Sequence, residues 1–262
     1  MTDATQTLIQ HTSDARGVHQ ICLNRPDAFN ALSRELMTAL QQSLDAVAQD
    51  PQARVVVVSA QGKAFCAGHD LREMRASPSL AYYQALFKQC SRMMMSVQRL
   101  PVPVIAVVNG IATAAGCQLV AMCDLAVSSH ASKFAVSGVN LGLFCSTPSV
   151  ALSRNLSRKA AFEMLVTGDF ITAEQALVKG LVNAVVAPEA LDAAVQRYVD
   201  SILAKPRTAI AMGKKLFYEQ LEQPLEEAYA NAEHTMACNM MDDTALEGVQ
   251  AFIEKRNPSW KT

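Results

Sequence analysis

Two segments of small residues follow runs that are typical of buried β-strands, and they are the places where this sequence could do chemistry. The first is Phe65–Leu71, with the sequence Phe-Cys-Ala-Gly-His-Asp-Leu, and the second is Asn109–Gln118. In α/β sheets, ligands bind beyond the carboxyl ends of the strands, and small residues let a ligand approach the backbone closely. Both segments are therefore candidate ligand loops.

The second segment also opens a helix, whose first N–H groups have no intrahelical partners and attract negative charge. One N–H group from each segment is expected to hold a carbonyl oxygen as it becomes an oxyanion. For either segment alone, tight packing of a helix on a strand is the alternative explanation. The pairing of the two, with the turn Asn109-Gly110 before the second, favours the functional interpretation.

The elements that must position these loops form an α/β pattern. The runs Val55–Val58 and Val104–Val108 are typical of buried parallel strands. A hairpin is predicted over residues 7–23, and the alternation of strands and helices then predicts an α/β core with parallel pairing. The other elements predicted in this part are helices at Ala31–Ala48, 79–99 and Ile111–Met122, strands at Arg54–Ala60 and Leu125–Ser128, and a loop at Gly62–Asp70.

The last third of the chain is helical in pattern. Gly180 is placed to end a helix, and Val182–Val186 is the only strand-like run. We divide the chain into a core of residues 1–200 and a C-terminal helical section of residues 201–262, which serves as an oligomerisation or lid element or simply covers the core. The predicted helices are 158–166, 172–179, 189–203, 206–221, 224–237 and 243–255.

Composition narrows the class of protein. Of the 262 residues, 50% are hydrophobic and the formal net charge is −1, which predicts a sizeable core and gives no reason to expect nucleic acid or a membrane as partner. The seven cysteines include no CxxC pair, so a disulfide framework or a zinc site is not expected, and no metal ligand is assigned. Met1–Gln10 does not resemble a targeting peptide. We predict a cytoplasmic protein.

Motifs along almost the whole chain resemble those of the crotonase (enoyl-CoA hydratase/isomerase) superfamily. Phe65–Leu71 resembles its F-x-A-G-x-D-[LI] segment, and Pro103–Asp124 resembles the stretch that runs from P-[VT]-I-A-A through N-G to C-D. Asn24-Arg25-Pro26 followed by Asn30-Ala31-Leu32 resembles its entry motif. The runs at 113–118 and 142–148 resemble the enoyl-CoA hydratase domain-containing protein 3 group.

This resemblance implies a spiral of ββα turns, a C-terminal trimerisation section, and assembly as a homotrimer or hexamer. It also implies an acyl-CoA thioester as ligand, with no cofactor beyond its coenzyme A, and an oxyanion hole formed by the N–H groups of His69 and Ala115. Ala115 stands where the family usually has glycine, which requires only a negative φ there. Contacts with the acyl-CoA are expected at Arg25, Ala31, Ala67, Gly68, Asp70, Leu71, Arg72, Asn140, Cys145, Phe252 and Lys255.

The two glutamates that position and activate water in hydratases of this family are missing. Their positions match Gln118 and Gly138, and neither residue can exchange a proton near neutral pH. His69 is the most interesting titratable group and resembles the histidine of the superfamily's methylmalonyl-CoA decarboxylases, although it can equally be a loop histidine that faces solvent or coenzyme A. Cys145 is a pocket residue or a small buried thiol, and no base is identified that would make it a nucleophile.

Three functions follow from the missing acids. The leading hypothesis is an acyl-CoA-binding protein whose reaction stabilises an enolate, most sharply the decarboxylation of a malonyl-type thioester. The second is a catalytically silent acyl-CoA binder, and the third is residual hydratase or isomerase activity with water arranged by Gln118 and Asn140. On the third, restoring both acids with Gln118→Glu and Gly138→Glu is expected to raise hydration.

Overall fold

The computed structural model describes residues 7–260. The first six residues of the predicted section 1–200 and the last two of the predicted section 201–262 therefore lie outside the described residues. The strands form two sheets. The pairings between these strands are parallel except for β1–β2 and β8–β9, which are antiparallel and lie at one edge of each sheet. The six-stranded sheet consists, in spatial order, of β1 (Ile9–Ser13), β2 (Val18–Leu23), β3 (Val55–Ala60), β5 (Val104–Val108), β7 (Leu125–Ser129) and β10 (Ala184–Val186). The four-stranded sheet consists of β4 (Ala64–Cys66), β6 (Ile111–Thr113), β8 (Lys133–Ala135) and β9 (Ile171–Thr172).

Capping residues mark the ends of several helices. The Ser33 hydroxyl caps the first helix, and Gly180 ends the seventh with a φ of 86°, as its position in the sequence predicts. The helices are α1 (Arg34–Gln49), α2 (Leu71–Ala76), α3 (Leu80–Arg99), α4 (Ala115–Met122), α5 (Ser146–Asn155), α6 (Arg158–Thr167), α7 (Ala173–Lys179), α8 (Leu191–Leu203), α9 (Arg207–Gln220), α10 (Leu225–Met240) and α11 (Asp243–Ile253).

A strand–strand–helix unit repeats along the core. In each unit the first strand joins the six-stranded sheet, the second joins the four-stranded sheet, and a helix follows: β3-β4-α2, β5-β6-α4 and β7-β8-α5. This repetition confirms the predicted α/β class and its spiral of ββα turns. It also places the ends of β4 and β6 side by side, because these two strands pair in parallel.

Several short elements differ from the predictions. The predicted loop Gly62–Asp70 contains β4, and the predicted helix Ile111–Met122 begins only at Ala115, because its first three residues form β6. Strands β8 and β9 and helices α2 and α5 have no counterpart among the predicted elements. A strand of two or three residues is too short to show periodicity in a sequence, so tertiary pairing decides its structure.

The first C-terminal helix, α9, is fastened to the core by a buried polar cluster. Lys214 Nζ lies 2.7 Å from Asp124 Oδ2, and the Tyr218 hydroxyl donates to Asp124 Oδ1 at 2.7 Å. The division at residue 200 stays a prediction. Within residues 7–260, none of the helices combines the length and the apolar character needed to cross a membrane.

Candidate active site

The two candidate loops meet where β4 and β6 end. The Thr113 hydroxyl, at the end of β6, donates to the carbonyl of Ala67, just beyond β4, at 3.0 Å. A Cβ atom on Gly116 would lie only 2.1 Å from the Cys66 carbonyl oxygen, so the two loops can pack this closely only with glycine there. The two candidate segments identified in the sequence are therefore in direct contact in the structure.

Gly68 and Ala114 set the shape of this junction. Gly68 has a φ of +91°, and a Cβ atom there would lie 2.9 Å from the Ala114 methyl group and 3.5 Å from the Ala115 nitrogen. Ala114 has a φ of 49° and a ψ of −118°, a strained conformation that costs about 1–3 kcal/mol for a residue with a side chain. Ala115 is not among the residues with positive φ, so the negative φ expected there is present and the strain lies one residue earlier.

Neither of the two expected oxyanion donors is used elsewhere among residues 7–260. A bridge between Leu32 and His69 is made through the Gly68 carbonyl and the Asp70 N–H, which leaves the His69 N–H without an acceptor. The Ala115 N–H begins α4 and has no intrahelical acceptor. Two unpaired backbone donors on adjoining loops form an arrangement that suits a developing oxyanion.

The side chain of His69 is buried beside these donors. Its ring meets the Phe87 ring edge-on, with centroids 5.5 Å apart, and neither ring nitrogen has a hydrogen-bond partner with ordinary geometry among the described residues. Burial lowers the pKa of His69, and the nearby Leu32 carbonyl opposes part of that shift. The imidazole is therefore neutral at pH 7, and its two ring nitrogens are turned away from solvent. The alternative that this loop histidine contacts coenzyme A stays a prediction.

Gln118 extends from the first turn of α4. Its side chain is 4% exposed, and its Oε1 atom is buried without a hydrogen-bond partner among the described residues. An unpaired buried acceptor costs about 1–3 kcal/mol. Since the Gln118 backbone N–H donates to the Ala114 carbonyl, the helix that carries this amide is the one that presents the Ala115 N–H.

Gly138 lies in a short 3-10 helix, Ser137–Leu141, and its surroundings leave no room for a side chain. A Cβ atom there would lie 2.3 Å from the Leu143 carbonyl oxygen and 2.8 Å from Cys145 Sγ. Restoring a glutamate at this position would therefore require the surrounding segment to move, and the expectation that Gln118→Glu with Gly138→Glu raises hydration stays a prediction.

Cys145 fills the space beside Gly138. Its Sγ accepts the Gly138 N–H at 3.3 Å, and burial raises the pKa of the thiol, although that hydrogen bond opposes the shift. The sulfur is therefore protonated at neutral pH and acts as a packing and hydrogen-bonding group, which agrees with the interpretation as a small buried thiol.

The charged residues of the first loop pair with each other. Arg25 lies 2.7 Å from Asp70 and also donates to the Ala31 carbonyl at 3.0 Å. Asp70 caps α2 through the N–H groups of Arg72 and Glu73. Burial tends to raise the pKa of Asp70, but the hydrogen bond from Arg25 and the two capping N–H groups lower it overall. Arg25 is thus already occupied, and a contact with coenzyme A phosphates stays a prediction.

The remaining predicted contacts are spread more widely. Ala67, Leu71 and Arg72 are exposed at the junction, whereas Phe252 is 85% exposed on α11 and Lys255 is exposed just beyond it. Their coenzyme A contacts stay predictions.

Asn140 donates to the Gly168 carbonyl at 3.3 Å, which ties it to the end of α6. That Gln118 and Asn140 arrange a water molecule together stays a prediction. Those residues also contain no group of three or more His, Cys, Asp or Glu side chains suited to a metal ion.

Sequence reasoning missed Ala114 and Phe87. Ala114 bears the backbone strain beside the Ala115 donor, and the available signal was a helix start with three small residues and no polar capping side chain. Phe87 lies on α3, whose helical pattern was recognised, but the face that meets His69 follows only from the tertiary packing.

The fold and the paired donors define a crotonase-type protein, and the chain belongs to the enoyl-CoA hydratase/isomerase family, whose model matches residues 13–262. Enoyl-CoA hydratase domain-containing protein 3, mitochondrial, from Xenopus laevis is 45% identical over 257 residues, which covers 96% of this chain and 87% of the relative. The Mus musculus protein of that name is 45% identical over 249 residues, with coverages of 95% and 83%. A crystal structure of enoyl-CoA hydratase from Mycobacterium smegmatis has a TM-score of 0.97 at 61% identity and covers 98% of this chain and 100% of its own.

These comparisons confirm the resemblance to the superfamily and to the domain-containing protein 3 group. They contradict the predicted cytoplasmic location, because both of those relatives carry "mitochondrial" in their names. That prediction is wrong, since the cysteine usage behind it indicates a reducing environment without identifying a compartment.

Proposed function

We propose that this chain binds an acyl-CoA thioester and holds its carbonyl oxygen between the backbone N–H groups of His69 and Ala115. The observation that carries the proposal is that both donors are unpaired among the described residues and lie on loops in direct contact. A buried donor without an acceptor is unfavourable in the free protein, so a ligand oxygen that fills both positions gains their full hydrogen-bonding energy.

The chemistry proposed for this pair is polarisation of the thioester and stabilisation of its enolate. Hydrogen bonds aimed at the oxygen strengthen as negative charge develops on it, and one such donor is worth about two to three orders of magnitude in rate. Water addition by a pair of carboxylates is not proposed, because Gln118 is an amide and Gly138 has no side chain. The proposed chemistry uses no cofactor beyond the coenzyme A of the ligand.

The coenzyme A portion is proposed to lie across the exposed edge of the first loop. Arg72 has an exposed guanidinium that is not paired with any described acid, and arginine suits phosphate geometry. Phe252 and Lys255 are proposed to reach the ligand of a neighbouring subunit. This part of the proposal predicts that Arg72→Ala weakens the binding of acetyl-CoA and of free coenzyme A by the same factor.

A homotrimer or a pair of trimers is the proposed assembly. It is supported by exposed large apolar side chains on the C-terminal helices, since large exposed apolar patches mark interaction sites. Light scattering coupled to size-exclusion chromatography tests the assembly directly, and a monomeric mass at micromolar concentration would reject it. These side chains are Phe217, Leu221, Leu225, Tyr229, Met236, Met241, Leu246, Val249, Phe252 and Ile253.

The test of the oxyanion hole compares two ligands that differ in one carbonyl group. Calorimetric titration with acetyl-CoA and with S-ethyl-CoA, its thioether analogue, is expected to show tighter binding of the thioester by about tenfold, the value of one or two good hydrogen bonds. The carbonyl stretch of bound acetyl-CoA is expected to move to lower frequency. Equal affinities with an unshifted carbonyl band would reject the oxyanion hole, and no binding of either ligand would reject acyl-CoA binding itself.

Turnover assays on the same samples separate the alternatives. Release of CO₂ from a malonyl-type thioester would establish the decarboxylase, in which the carbon–carbon bond breaks, its electron pair forms the enolate and the enolate is then protonated. Binding without turnover of saturated, enoyl or malonyl thioesters would establish a silent binder. Hydration of crotonyl-CoA would support the third function, residual hydratase activity in which Gln118 helps to arrange water.

A further inference from the structure

Three titratable side chains at one edge of the six-stranded sheet form a hydrogen-bonded chain outside the candidate site. His11 Nε2, on β1, lies 3.0 Å from His19 Nδ1, on β2. His19 Nε2 in turn lies 3.0 Å from an oxygen of Asp50, the residue just beyond α1. The His19 side chain is only 5% exposed, whereas Asp50 is 33% exposed and His11 is half-buried. Protons can therefore enter this chain from its two ends, while its middle ring is buried.

The protons that the chain holds follow from these two contacts. An ionised carboxylate only accepts hydrogen bonds, so His19 Nε2 carries a proton and donates to Asp50. One further proton lies between His19 Nδ1 and His11 Nε2, because two bare nitrogens or two N–H groups cannot form a hydrogen bond. A first added proton, on the other nitrogen of His11, breaks neither bond. Transfer across the ring–ring bond then moves the charge to His19, where Asp50 and the C-terminal end of α1 stabilise it.

A second added proton cannot be held in the same way. It makes both rings cationic, so two N–H groups would face each other in the ring–ring contact, and the like charges would lie on rings with centroids 5.3 Å apart. Burial lowers the pKa of His11, and the neighbouring His19 lowers it further. The two added protons therefore bind in separate steps that belong to the pair of rings.

No other charged group within residues 7–260 offsets this repulsion. Asp14 and Arg16, in the turn between β1 and β2, pair with each other at 2.9 Å, and Asp45 on α1 accepts from Gln41. The pKa of His11 responds only to burial and to His19. The remaining titratable groups on β2 and α1, the other elements in close contact with β1, are Cys22, Arg34 and Glu35.

We propose that the chain His11–His19–Asp50 latches β1 to the sheet, and that acid releases this strand when a second proton binds the two rings. Strand β1 pairs with β2 alone, so separating it from β2 frees the whole strand. The released form binds about one proton more than the latched form at pH values between the ordinary histidine pKa of about 6.5 and the lowered pKa of His11. In that range the equilibrium constant for release rises about tenfold for each pH unit of acidification. This inference does not depend on acyl-CoA binding.

Hydrogen exchange of the full chain, read by mass spectrometry, measures the release. Peptides that contain β1 are compared with peptides that contain the central strand β5, from about pH 8 to about pH 5, after correction for the intrinsic pH dependence of exchange. We expect exchange of β1 to rise about tenfold per pH unit below about pH 6.5, while β5 stays protected. Unchanged exchange of β1 would overturn the inference. Equal loss of protection in β5 would also overturn it, because the sheet would then open as a whole.

Two variants test the proton count. His11→Gln can still donate an N–H to His19 but takes up no proton, so the slope with pH is expected to disappear, whatever the stability of the variant at pH 8. His130→Gln is the matched control, because His130 is exposed on the turn after β7, and its slope is expected to match that of the native chain. The same slope in His11→Gln as in the native chain would overturn the inference.

Asp50→Asn keeps an oxygen that can accept from His19 but removes the negative charge that stabilises the first added proton. Release is therefore expected to begin at a higher pH and to rise more steeply than in the native chain. Asp45→Asn, exposed on the same helix, is the control and is expected to leave the profile unchanged. Identical profiles for Asp50→Asn and the native chain would overturn the part that Asp50 plays in the latch.

Discussion

Two buried polar clusters of this protein differ in how completely their atoms are paired. Around Asp124, the carboxylate accepts from the Val104 N–H at 2.6 Å, from Lys214 at 2.7 Å and from the Tyr218 hydroxyl at 2.7 Å. At the candidate site, the two ring nitrogens of His69 and Oε1 of Gln118 have no partners among the described residues. Both clusters lie in the same core, and α4 runs from one to the other.

The difference separates a structural role from a binding role. A fully paired buried network stabilises one arrangement of α9 on the core. Removing any one member leaves the remaining buried polar groups without a hydrogen-bond or charge partner, which lowers the free energy of unfolding. Unpaired donors and acceptors lower the stability of the free protein, and they are retained where a ligand completes them. Variants that unpair the first cluster, or that relieve the second, test this distinction.

The largest effect is expected for Lys214→Met, which leaves Asp124 buried without its cation. Lys214 and Asp124 side chains are 7% and 14% exposed, so the free energy of unfolding is expected to fall by about 3–5 kcal/mol. Urea denaturation followed by circular dichroism measures it. Lys215→Met is the control, since Lys215 is exposed on the same helix and its distant pair with Glu219 contributes less than about 1 kcal/mol. Equal losses for the two variants would show that the buried cluster does not fasten α9.

A smaller loss in the free energy of unfolding is expected for Gly138→Ala. The added methyl group would meet the Leu143 carbonyl oxygen at 2.3 Å, and overpacking of this kind costs about 1–3 kcal/mol or more. Gly213→Ala is the control in the opposite direction, because Gly213 lies within α9 with open space around it and alanine favours a helix by about 1 kcal/mol. If Gly138→Ala were as stable as the native chain, the 137–145 segment would have room for a catalytic side chain after all.

How much the sequence could predict follows from the range of the interactions involved. The two loops, their order and their donors are local features, so Phe65–Leu71 and Asn109–Gln118 were recognised from residue types alone. The clash at Gly138 involves Leu143 and Cys145, and it depends on how the 3-10 helix turns back. The pairing of Arg25 with Asp70 likewise joins positions 45 residues apart, which residue types could not reveal.

The short strands show the same limit at the level of the fold. Strands β4 and β6 have three residues each, and their sequences are as compatible with a loop or an alanine-rich helix start as with a strand. Their hydrogen bonds to each other and to β8 decide the outcome. The helices of eleven or more residues were predicted within a few residues, because periodicity over that length carries enough information, whereas the ten-residue helix α5 was missed.

For Ala114→Gly, in contrast to the two variants above, we expect the free energy of unfolding to rise, by about 1 kcal/mol. Glycine adopts the φ of 49° without strain, so the free energy of unfolding is expected to rise, although the greater entropy of the unfolded chain offsets part of the gain. Ala121→Gly within α4 is the control and is expected to lose about 1 kcal/mol. Ala114→Gly is also expected to weaken the preference for acetyl-CoA over its thioether analogue, because the Ala115 N–H is held less firmly. A destabilised Ala114→Gly protein would mean that the alanine conformation is not strained.

The smallest effect concerns the pH dependence that His69 contributes. Burial lowers the pKa of His69 below its ordinary 6.5, so between these two values the unfolded chain binds more protons than the folded one. The free energy of unfolding should therefore fall as the pH drops from about 6.5 toward the folded pKa and should change no further from this group below it. Urea denaturation at a series of pH values is expected to show a weaker dependence for His69→Leu than for the native chain. The pKa of His11 is also lowered, by burial and by neighbouring His19, but His11 is present in both proteins and cancels in the difference. Parallel curves for the two proteins would mean that His69 gains a proton as easily in the folded chain as in the unfolded one, and its ring would then belong with the paired groups of the protein.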